Sequence, residues 1–556
     1  MKNNKLKIIL YFYIAITFLG PEYVGAQSIN TTIHSAWDDY LYFLSLRGDI
    51  PRPYLTIRQL ARNSWDSPGT RQSHPWAGLE SPGGSTRGVP AGSILVLPVE
   101  NFSSYNSRYA LGGNDGNMWQ GRGFNTRSRL GTQGIWQFGD HRIGITAYPE
   151  FWAAENRDFE LVDPDDLLSV TGFFGDPDFG YITRHMDLPQ RMGDRPLSEI
   201  GFGESEVRYD YRALTIGYGT QSVWLGPGRE NALVLSTNAG GFPKLDLGLR
   251  KTETRIGAME AIAFWGQLTP SDFFDTTNYD NHNFYSGMAV AYSPVFWQQF
   301  TVGFNKVAIV QWQDVSFANV LQPFNLELTQ HPGEGGQMAS LTGEYFSPET
   351  GTAIYLEWAR YDSSSSRNPV NVPGWTVTWT LGGRQVFSLG NHRLIVLSVE
   401  HTDLARSREQ MLGPRNRWDT AGFYRQGNVG TGFTHRGQVL GGWIGPGGDS
   451  QHVSIRYYDR FGYLDLFVRR FARNKDVLYF QGRSTTIDGV DYMVGPASDS
   501  RQAMNAEMQY GIGGYTQIGS FALGLQVSLH DARNWNYRPF EDVLNARVEF
   551  GVTWNP

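Results

Sequence analysis

The side chains in this sequence that could do chemistry are aromatic rings, amides and arginines, not nucleophiles or metal ligands. Trp224-Leu225-Gly226-Pro227-Gly228 returns as Trp443-Ile444-Gly445-Pro446-Gly447, a shared W-[LI]-G-P-G. A Pro-Gly pair supplies the fixed φ and the positive φ of a type II turn. On one reading each copy is a strand ending in a girdle tryptophan and a tight turn. On the other, the two tryptophans offer flat faces to a sugar ring. Beyond residue 26 there are 40 arginines but only four lysines, Lys244, Lys251, Lys306 and Lys475. The planar guanidinium fork suits fixed, multi-donor hydrogen bonding. It serves either Arg–carboxylate pairs that line a wall and hold loops against it, or recognition of carboxylates and hydroxyl pairs on a polymer.

Other chemistries are poorly supported. With no cysteine there is no disulfide scaffold, thiolate metal site, cysteine nucleophile or lipidated N-terminal cysteine. The eleven histidines form no H-E-x-x-H zinc motif, and no G-x-S-x-G elbow is present. His452 and Ser454 would share one face of a strand, but nothing marks an oxyanion hole beside them. Asp163, Asp165 and Asp166 lack the glycine and distal glutamate of a calcium loop and read as a solvated acidic loop. Gly121-Arg122-Gly123 is not followed by the lysine of a phosphate loop. A formal charge of -7 argues against a nucleic-acid binder, which carries a basic excess. The expectation is a binding protein, not an enzyme, without cofactor or metal.

The elements that would position such residues are strands. Residues 1–26 read as a secretory signal: Lys2, Lys5 and Lys7 precede the apolar run Ile8 to Leu19, and Val24-Gly25-Ala26 offers a small-residue cleavage site. No later stretch has the 18 or so apolar residues of a membrane helix. A membrane β-barrel instead shows short alternating segments, aromatic girdles and polar turns. Trp375 to Leu381 alternates apolar with hydroxyl residues. Leu523, Leu525, Val527 and Leu529 share one side of a run, and the last segment sets Ala546, Val548, Phe550, Val552 and Trp554 opposite Arg547, Glu549, Gly551 and Thr553. Period two with one apolar side is a half-buried strand. Its apolar side would face another sheet in a secreted sandwich or propeller, and lipid in an outer-membrane barrel. The signal, the 14% aromatic content and an aromatic-rich closing strand favour lipid, although Asn555-Pro556 follow the final tryptophan.

The organisation expected is a signal over 1–26, an N-terminal periplasmic helical region and linker over 27–92, and an outer-membrane barrel over 93–556. Ser35 caps a helix with Trp37, Tyr40, Leu41 and Leu44 at helical spacing and Gly48 as its stop. Tyr54 to Ala61 begins a second helix, and Ser81 to Gly92 is a Pro/Gly/Ser-rich linker. About 25 residues per strand and connection gives a barrel of about 18 strands, wide enough to need filling unless it conducts. From Ile256 to Ala359 there are ten acids against one lysine, and from Arg393 to Arg473 twelve arginines against seven acids. In a meander these are sectors of the wall, and a transverse field across the lumen is expected.

Several longer motifs carry a family resemblance. Asn106-Ser107-Arg108-Tyr109 leads into Gly113-Asn114-Asp115-Gly116-Asn117-Met118-Trp119-Gln120-Gly121-Arg122-Gly123. Glu155-Asn156-Arg157-Asp158-Phe159, Asp187-Leu188-Pro189-Gln190-Arg191, and the first W-L-G-P-G with Arg229 and Asn231 follow. Asn238-Ala239-Gly240-Gly241-Phe242-Pro243 and Thr434-His435-Arg436-Gly437-Gln438-Val439-Leu440 complete the series. In order and spacing, from about residue 35 to 480, these resemble the capsule assembly Wzi family. The resemblance implies an outer-membrane barrel of about 18 strands with a helical bundle at its periplasmic end. It also implies a non-enzymatic lectin that holds capsular polysaccharide, with outer-membrane lipid and the barrel assembly machinery as its other partners. Within the motifs, Trp119, Gln120, Arg122, Trp224, Arg229, Asn231, His435, Arg436 and Trp443 supply the aromatic faces and planar hydrogen-bonding groups that sugars need. A porin or substrate-selective channel is the alternative. A membrane-embedded enzyme would have to work through His452 and Ser454.

Overall fold

The computed structural model describes residues 35–58, 75–76, 93–162, 185–274, 282–325, 335–361, 377–390, 392–405, 407, 422–476, 483–487, 490–495 and 503–555. The signal, the Ser81 to Gly92 linker and Asp163, Asp165 and Asp166 lie outside them. One antiparallel sheet of 22 segments dominates. Four pairs of segments are collinear halves of one crossing, so the chain makes 18 crossings. These are β1 (Ser93–Val96 and Val99–Asn106), β2 (Gly123–Arg129 and Thr132–Phe138), β3 (His141–Ala147 and Glu150–Ala154) and β4 (Leu197–Gly201 and Glu206–Tyr211). Next come β5 (Leu214–Gly219), β6 (Lys244–Thr254), β7 (Gly257–Leu268), β8 (Asn283–Pro294), β9 (Phe300–Gln311), β10 (Gly336–Ser347) and β11 (Thr352–Tyr361). The last are β12 (Val377–Gly390), β13 (Arg393–Asp403), β14 (Asp449–Asp459), β15 (Gly462–Ala472), β16 (Ala506–Ile518), β17 (Phe521–Arg533) and β18 (Val543–Trp554). Each strand pairs with the next, and β18 pairs with β1 from Val99↔Trp554 to Asn106↔Arg547, which closes the barrel.

The alternation read from the sequence sets the two faces. On β18, Val548, Phe550 and Trp554 are exposed outside while Asn545 and Arg547 are buried inside. On β17, Leu525, Val527 and Leu529 are exposed while Ser528 and His530 are buried. Thr378 and Thr380 of β12 face the lumen and Leu381 faces out. So extensive an exposed apolar face fits a lipid-facing wall rather than a water-soluble surface. Connections alternate between two to five residues at one end and nine to 45 at the other. Outer-membrane barrels have short periplasmic turns and long extracellular loops. Exposed Phe138, Phe296, Trp297, Phe461, Phe521 and Trp554 lie beside the short turns, where an aromatic girdle belongs.

The lumen is packed. Helix α1 (Ala36–Leu46) has the expected cap, with the Asp38 N–H donating to Ser35 Oγ at 3.1 Å. It stops in a Schellman turn: Gly48 adopts φ +77°, and the Gly48 and Asp49 N–H groups return to Ser45 and Leu44. Tyr40, Phe43 and Leu44 pack against inward-facing Phe346, Val386, Leu394, Val396 and Tyr458, beside the short turns, so α1 lies inside the barrel. The second helix expected from Tyr54 is not formed over Tyr54–Arg58. That stretch is irregular, bending at Leu55 and Thr56 before a bridge from Ile57 to Leu225, and residues 59–61 lie outside the described set. Its backbone has a better acceptor than its own carbonyls. The Leu55, Thr56 and Ile57 N–H groups all donate to the Glu260 carboxylate of β7, at 2.9, 2.5 and 2.8 Å.

Two loop segments, 220–243 and 422–448, also fold inward and share one apolar core that includes Leu225, Leu233, Phe242, Tyr424, Phe433 and Leu440. Wall carboxylates hold them by the same device. Glu400 of β13 accepts from the N–H groups of Arg229, Glu230 and Asn231 at 2.7, 3.1 and 2.8 Å. Glu357 of β11 accepts from the Leu233 N–H at 3.1 Å. The acid-rich and arginine-rich stretches lie almost side by side on the wall, with β12 between β11 and β13. Their inward charges are largely met by the plug. Glu344 binds Arg52 at 2.6 Å, and Arg456 binds Asp39 of α1 at 2.8 Å. The expected field across the lumen is thus mostly cancelled pair by pair.

Candidate ligand-binding site at the loop end

At the long-loop end a pocket of about 240 Å³ lies where loops 107–122, 422–448 and 534–542 meet the ends of β15 and β16. Its aromatic lining is Trp119, Phe159, Trp443, Phe471, Trp535 and Tyr537. Side-chain amides come from Gln120, Gln190, Asn238, Gln438, Asn505 and Asn536, among others. Among the described residues its one charged lining group is Arg473, and no carboxylate faces it. The Arg473 guanidinium lies 5.5 Å from the Tyr109 ring and 5.6 Å from the Trp535 ring, with Nε on Glu507 at 2.6 Å and Nη2 unpartnered. Tyr109 stacks on Trp535 at 4.2 Å and donates its hydroxyl to Glu507 at 2.8 Å. Burial, and then Glu507, push the Tyr109 phenol well above its ordinary range, so it stays a donor. Flat rings for C–H faces, amides for hydroxyls and one cation make a surface that can bind a polar ring without reacting with it.

Local sequence explains the placement. Trp443 packs edge-on to Phe471 at 5.4 Å with Arg469 over its ring at 5.1 Å. It reaches the 107–122 loop because Gly113 has no side chain: a Cβ there would lie 2.9 Å from the indole. Loop 534–542 carries left-handed backbone at Asn534, Asn536, Tyr537 and Phe540, a costly conformation for bulky residues, and this loop presents Trp535 and Tyr537 to the pocket. The Thr434–His435 and Gln438–Val439 ladder turns through Arg436 and Gly437, both at positive φ (51° and 74°), the geometry of a type I′ hairpin.

Of the residues singled out from the sequence, the structure brings Trp119, Gln120 and Trp443 together in this pocket. The Trp119 indole N–H donates to Asn156 at 3.3 Å, and Gln120 accepts from Ser104 and from Arg547 at 2.6 and 3.0 Å. Arg122 lies to one side, held by the carbonyls of Ser107 and Asp158. Arg436 sits next to the lining residue Gly437 but pairs with Glu199 of β4. The remaining four are interior plug residues. Trp224 is fully buried, with its indole N–H on the Gly228 carbonyl at 2.9 Å and Arg58 at 4.5 Å over its ring. Arg229 binds the Tyr54 hydroxyl at 2.8 Å and stands 3.8 Å over the Tyr42 ring. Asn231 is pinned by Glu400, and His435 Nδ1 accepts the Thr269 N–H at 3.0 Å. Burial, then the neighbouring Arg436 and His282, lower the His435 pKa to about 3, so the ring is neutral.

Neither W-[LI]-G-P-G tryptophan stands in a lipid-facing girdle. The positive φ expected at the glycine after proline occurs at Gly447 but not at Gly228, while the glycine before proline has positive φ in both copies, at Gly226 and Gly445. Sequence reasoning missed Trp535, Tyr537, Phe471 and Arg473. The alternation Asn534-Trp535-Asn536-Tyr537 between the last two strands was the available signal. His452 and Ser454 do share the lumen face of β14, but His452 Nε2 lies 3.4 Å from Glu230 and its Nδ1 has no partner. No hydrolase dyad is assembled.

No protein-family model and no curated relative matches the chain. Among solved structures, its fold is similar to that of Wzi, an outer-membrane protein involved in group 1 capsule assembly in Escherichia coli and a carbohydrate-binding β-barrel. The TM-score is 0.57 at 11% identity, over 95% of this chain and 99% of that one. Two Pseudomonas aeruginosa proteins match less well. OccD3 (OpdP) has a TM-score of 0.40 at 10% identity, over 84% of this chain and 91% of that one. OccK5 (OpdH) has a TM-score of 0.37 at 12% identity, over 84% and 97%. Wall, faces, turns and the likeness at a TM-score of 0.57 agree on an outer-membrane β-barrel.

Proposed function

We propose that this outer-membrane barrel is a non-enzymatic lectin that binds capsular or exopolysaccharide at its outer mouth and helps assemble or anchor the capsule. The observation that carries the reading is the composition of the mouth pocket: among the described residues it has six aromatic rings, a set of amides, one arginine and no carboxylate. The fold likeness to a carbohydrate-binding barrel supports it. In this reading Trp119, Gln120 and Trp443 from the sequence, with Trp535, Tyr537 and Arg473, contact the glycan. Trp224, Arg229, Asn231 and His435 hold the plug, and Arg122 and Arg436 shape the rim. The proposed organisation keeps a signal removed after Ala26, an N-terminal helical region and linker over 27–92 whose residues 35–58 dock inside the lumen, and the barrel from 93 in outer-membrane lipid, inserted by the barrel assembly machinery. The test is a clean gene deletion followed by the ratio of cell-attached to shed polysaccharide at unchanged total synthesis. A shift to the shed fraction, restored by the wild-type gene but not by W443A, supports the lectin. An unchanged ratio removes it.

A second reading, a substrate-selective channel, has one observation in its favour. Cavities of about 420 and 210 Å³, the smaller one predominantly polar, remain between the plug and the wall.

A further inference from the structure

We propose that the lumen carries a second binding site, remote from the mouth, for one small oxyanion of the phosphate or sulfate class. The smaller polar cavity, about 210 Å³, lies between α1, the 220–243 segment and strands β12 to β15. A water occupies about 30 Å³ in the liquid, so the space takes several waters or one tetrahedral ion with part of its hydration. One wall is a single row of residues in register: Arg384 of β12 opposite Ser398 of β13, and Ser398 opposite Ser454 of β14. This row puts a guanidinium and two hydroxyls side by side, a donor set that matches oxyanion geometry.

The charges around the cavity are matched except at Arg384. Arg456 lies between Asp39 at 2.8 Å and Asp465 at 3.0 Å, Arg469 is paired with Glu230, and Arg229 stands 3.6 Å from Asp38. Arg384 is nine-tenths buried. Its Nε and Nη1 have no hydrogen-bond partner, and it has no ion-pair contact among the described residues. Its neighbours are the rings of Tyr42 and Phe43, at 5.4 and 5.6 Å, and the Asp39 carboxylate, which attracts it from beyond ion-pair distance and is itself bound to Arg456. A buried guanidinium without a directly paired anion of its own is expensive, and a folded protein ordinarily supplies one. The anion here is the ligand. Access comes from the larger cavity, which shares Arg456, Asp465 and Gln526 with the smaller one and extends to Ser35 and Thr553 near the short turns. Along that path Gly524 and Gly551 keep the wall bare, and a Cβ at Gly551 would meet nothing within 4 Å. A bound ion would bridge the wall, α1 and the 220–243 segment, so it would strengthen the docking of the plug.

The experiment uses the full-length mature barrel, purified in detergent in buffer free of phosphate and sulfate. Inorganic phosphate is titrated, with sodium chloride at matched ionic strength as the control. Binding is read by equilibrium dialysis and by the thermal midpoint, and phosphate and sulfate released on denaturation are counted so that an ion carried through purification also registers. The expected result is one oxyanion per barrel and a saturable rise in midpoint that chloride does not reproduce. Affinity should fall about tenfold or more in R384M, and by a smaller factor in the S398A/S454A double variant, which leaves every charge in place. Absence of a saturable or co-purified oxyanion in the wild type overturns the proposal. So does wild-type affinity in S398A/S454A together with either wild-type affinity or misfolding of R384M. Because the mouth pocket is untouched by these variants, polysaccharide retention should be unchanged in them, which separates this site from the proposed lectin site.

Discussion

At the scale of single residues, two tryptophans from the same pentapeptide have opposite fates, and substitution should distinguish them. Trp443 lines an open pocket, so W443A should lower polysaccharide binding while the purified barrel keeps its heat-resistant mobility on gels. Trp224 is fully buried under Arg58. W224A should cost about 3–5 kcal/mol of plug stability, read as protease cleavage within 220–243. G113A gives a finer test. Its new methyl would overlap the Trp443 ring and should reduce glycan binding without altering the wall. The sequence made residue types legible at these positions but not their depth. The two pentapeptides differ by one aliphatic residue, and only the packing of two distant loops in the lumen decides which tryptophan meets solvent.

At the scale of elements, wall carboxylates take over work that helices and sheets normally do for themselves. Glu260 accepts three consecutive backbone N–H groups, so E260A should strand them and free the segment after α1, at about 1–3 kcal/mol per unsatisfied donor. Limited proteolysis between α1 and β1 measures this. The ladder at 434–439 should respond to pH. His435 accepts the Thr269 N–H in its neutral form, with a docked pKa of about 3 against an ordinary 6.5. Between those values the released ladder takes up a proton that the docked one refuses, so docking weakens as pH falls from about 6.5 toward 3. Protease protection of 422–448 should therefore decline from pH 7 to pH 4.5, and less so in H435Q. Helix α1 was legible in the sequence because its cap, spacing and glycine stop are local. The non-helical course of the chain from Tyr54 was not, because its partner Glu260 lies some two hundred positions away.

At the scale of the whole molecule, the filled lumen makes a prediction about conduction. The intact protein should be nearly silent in planar bilayers, and deletion of residues 222–242 should open discrete channels. Large steps from the intact protein would favour the channel reading. The outward direction of the apolar faces was legible, since period two repeats along the chain, and the approximate strand number followed from chain length at about 25 residues per strand and connection. The plug was not, because its residues look like ordinary loops until the wall that surrounds them exists. The seam joins β1 to β18, pairing Val99 with Trp554, and this has a consequence for biogenesis. The cylinder cannot seal until its last strand has been delivered, whereas α1 and both inward segments belong to earlier stretches of chain. Packing of the interior can therefore precede sealing, and a variant that delays the plug should leave an open, protease-sensitive seam rather than an empty pore.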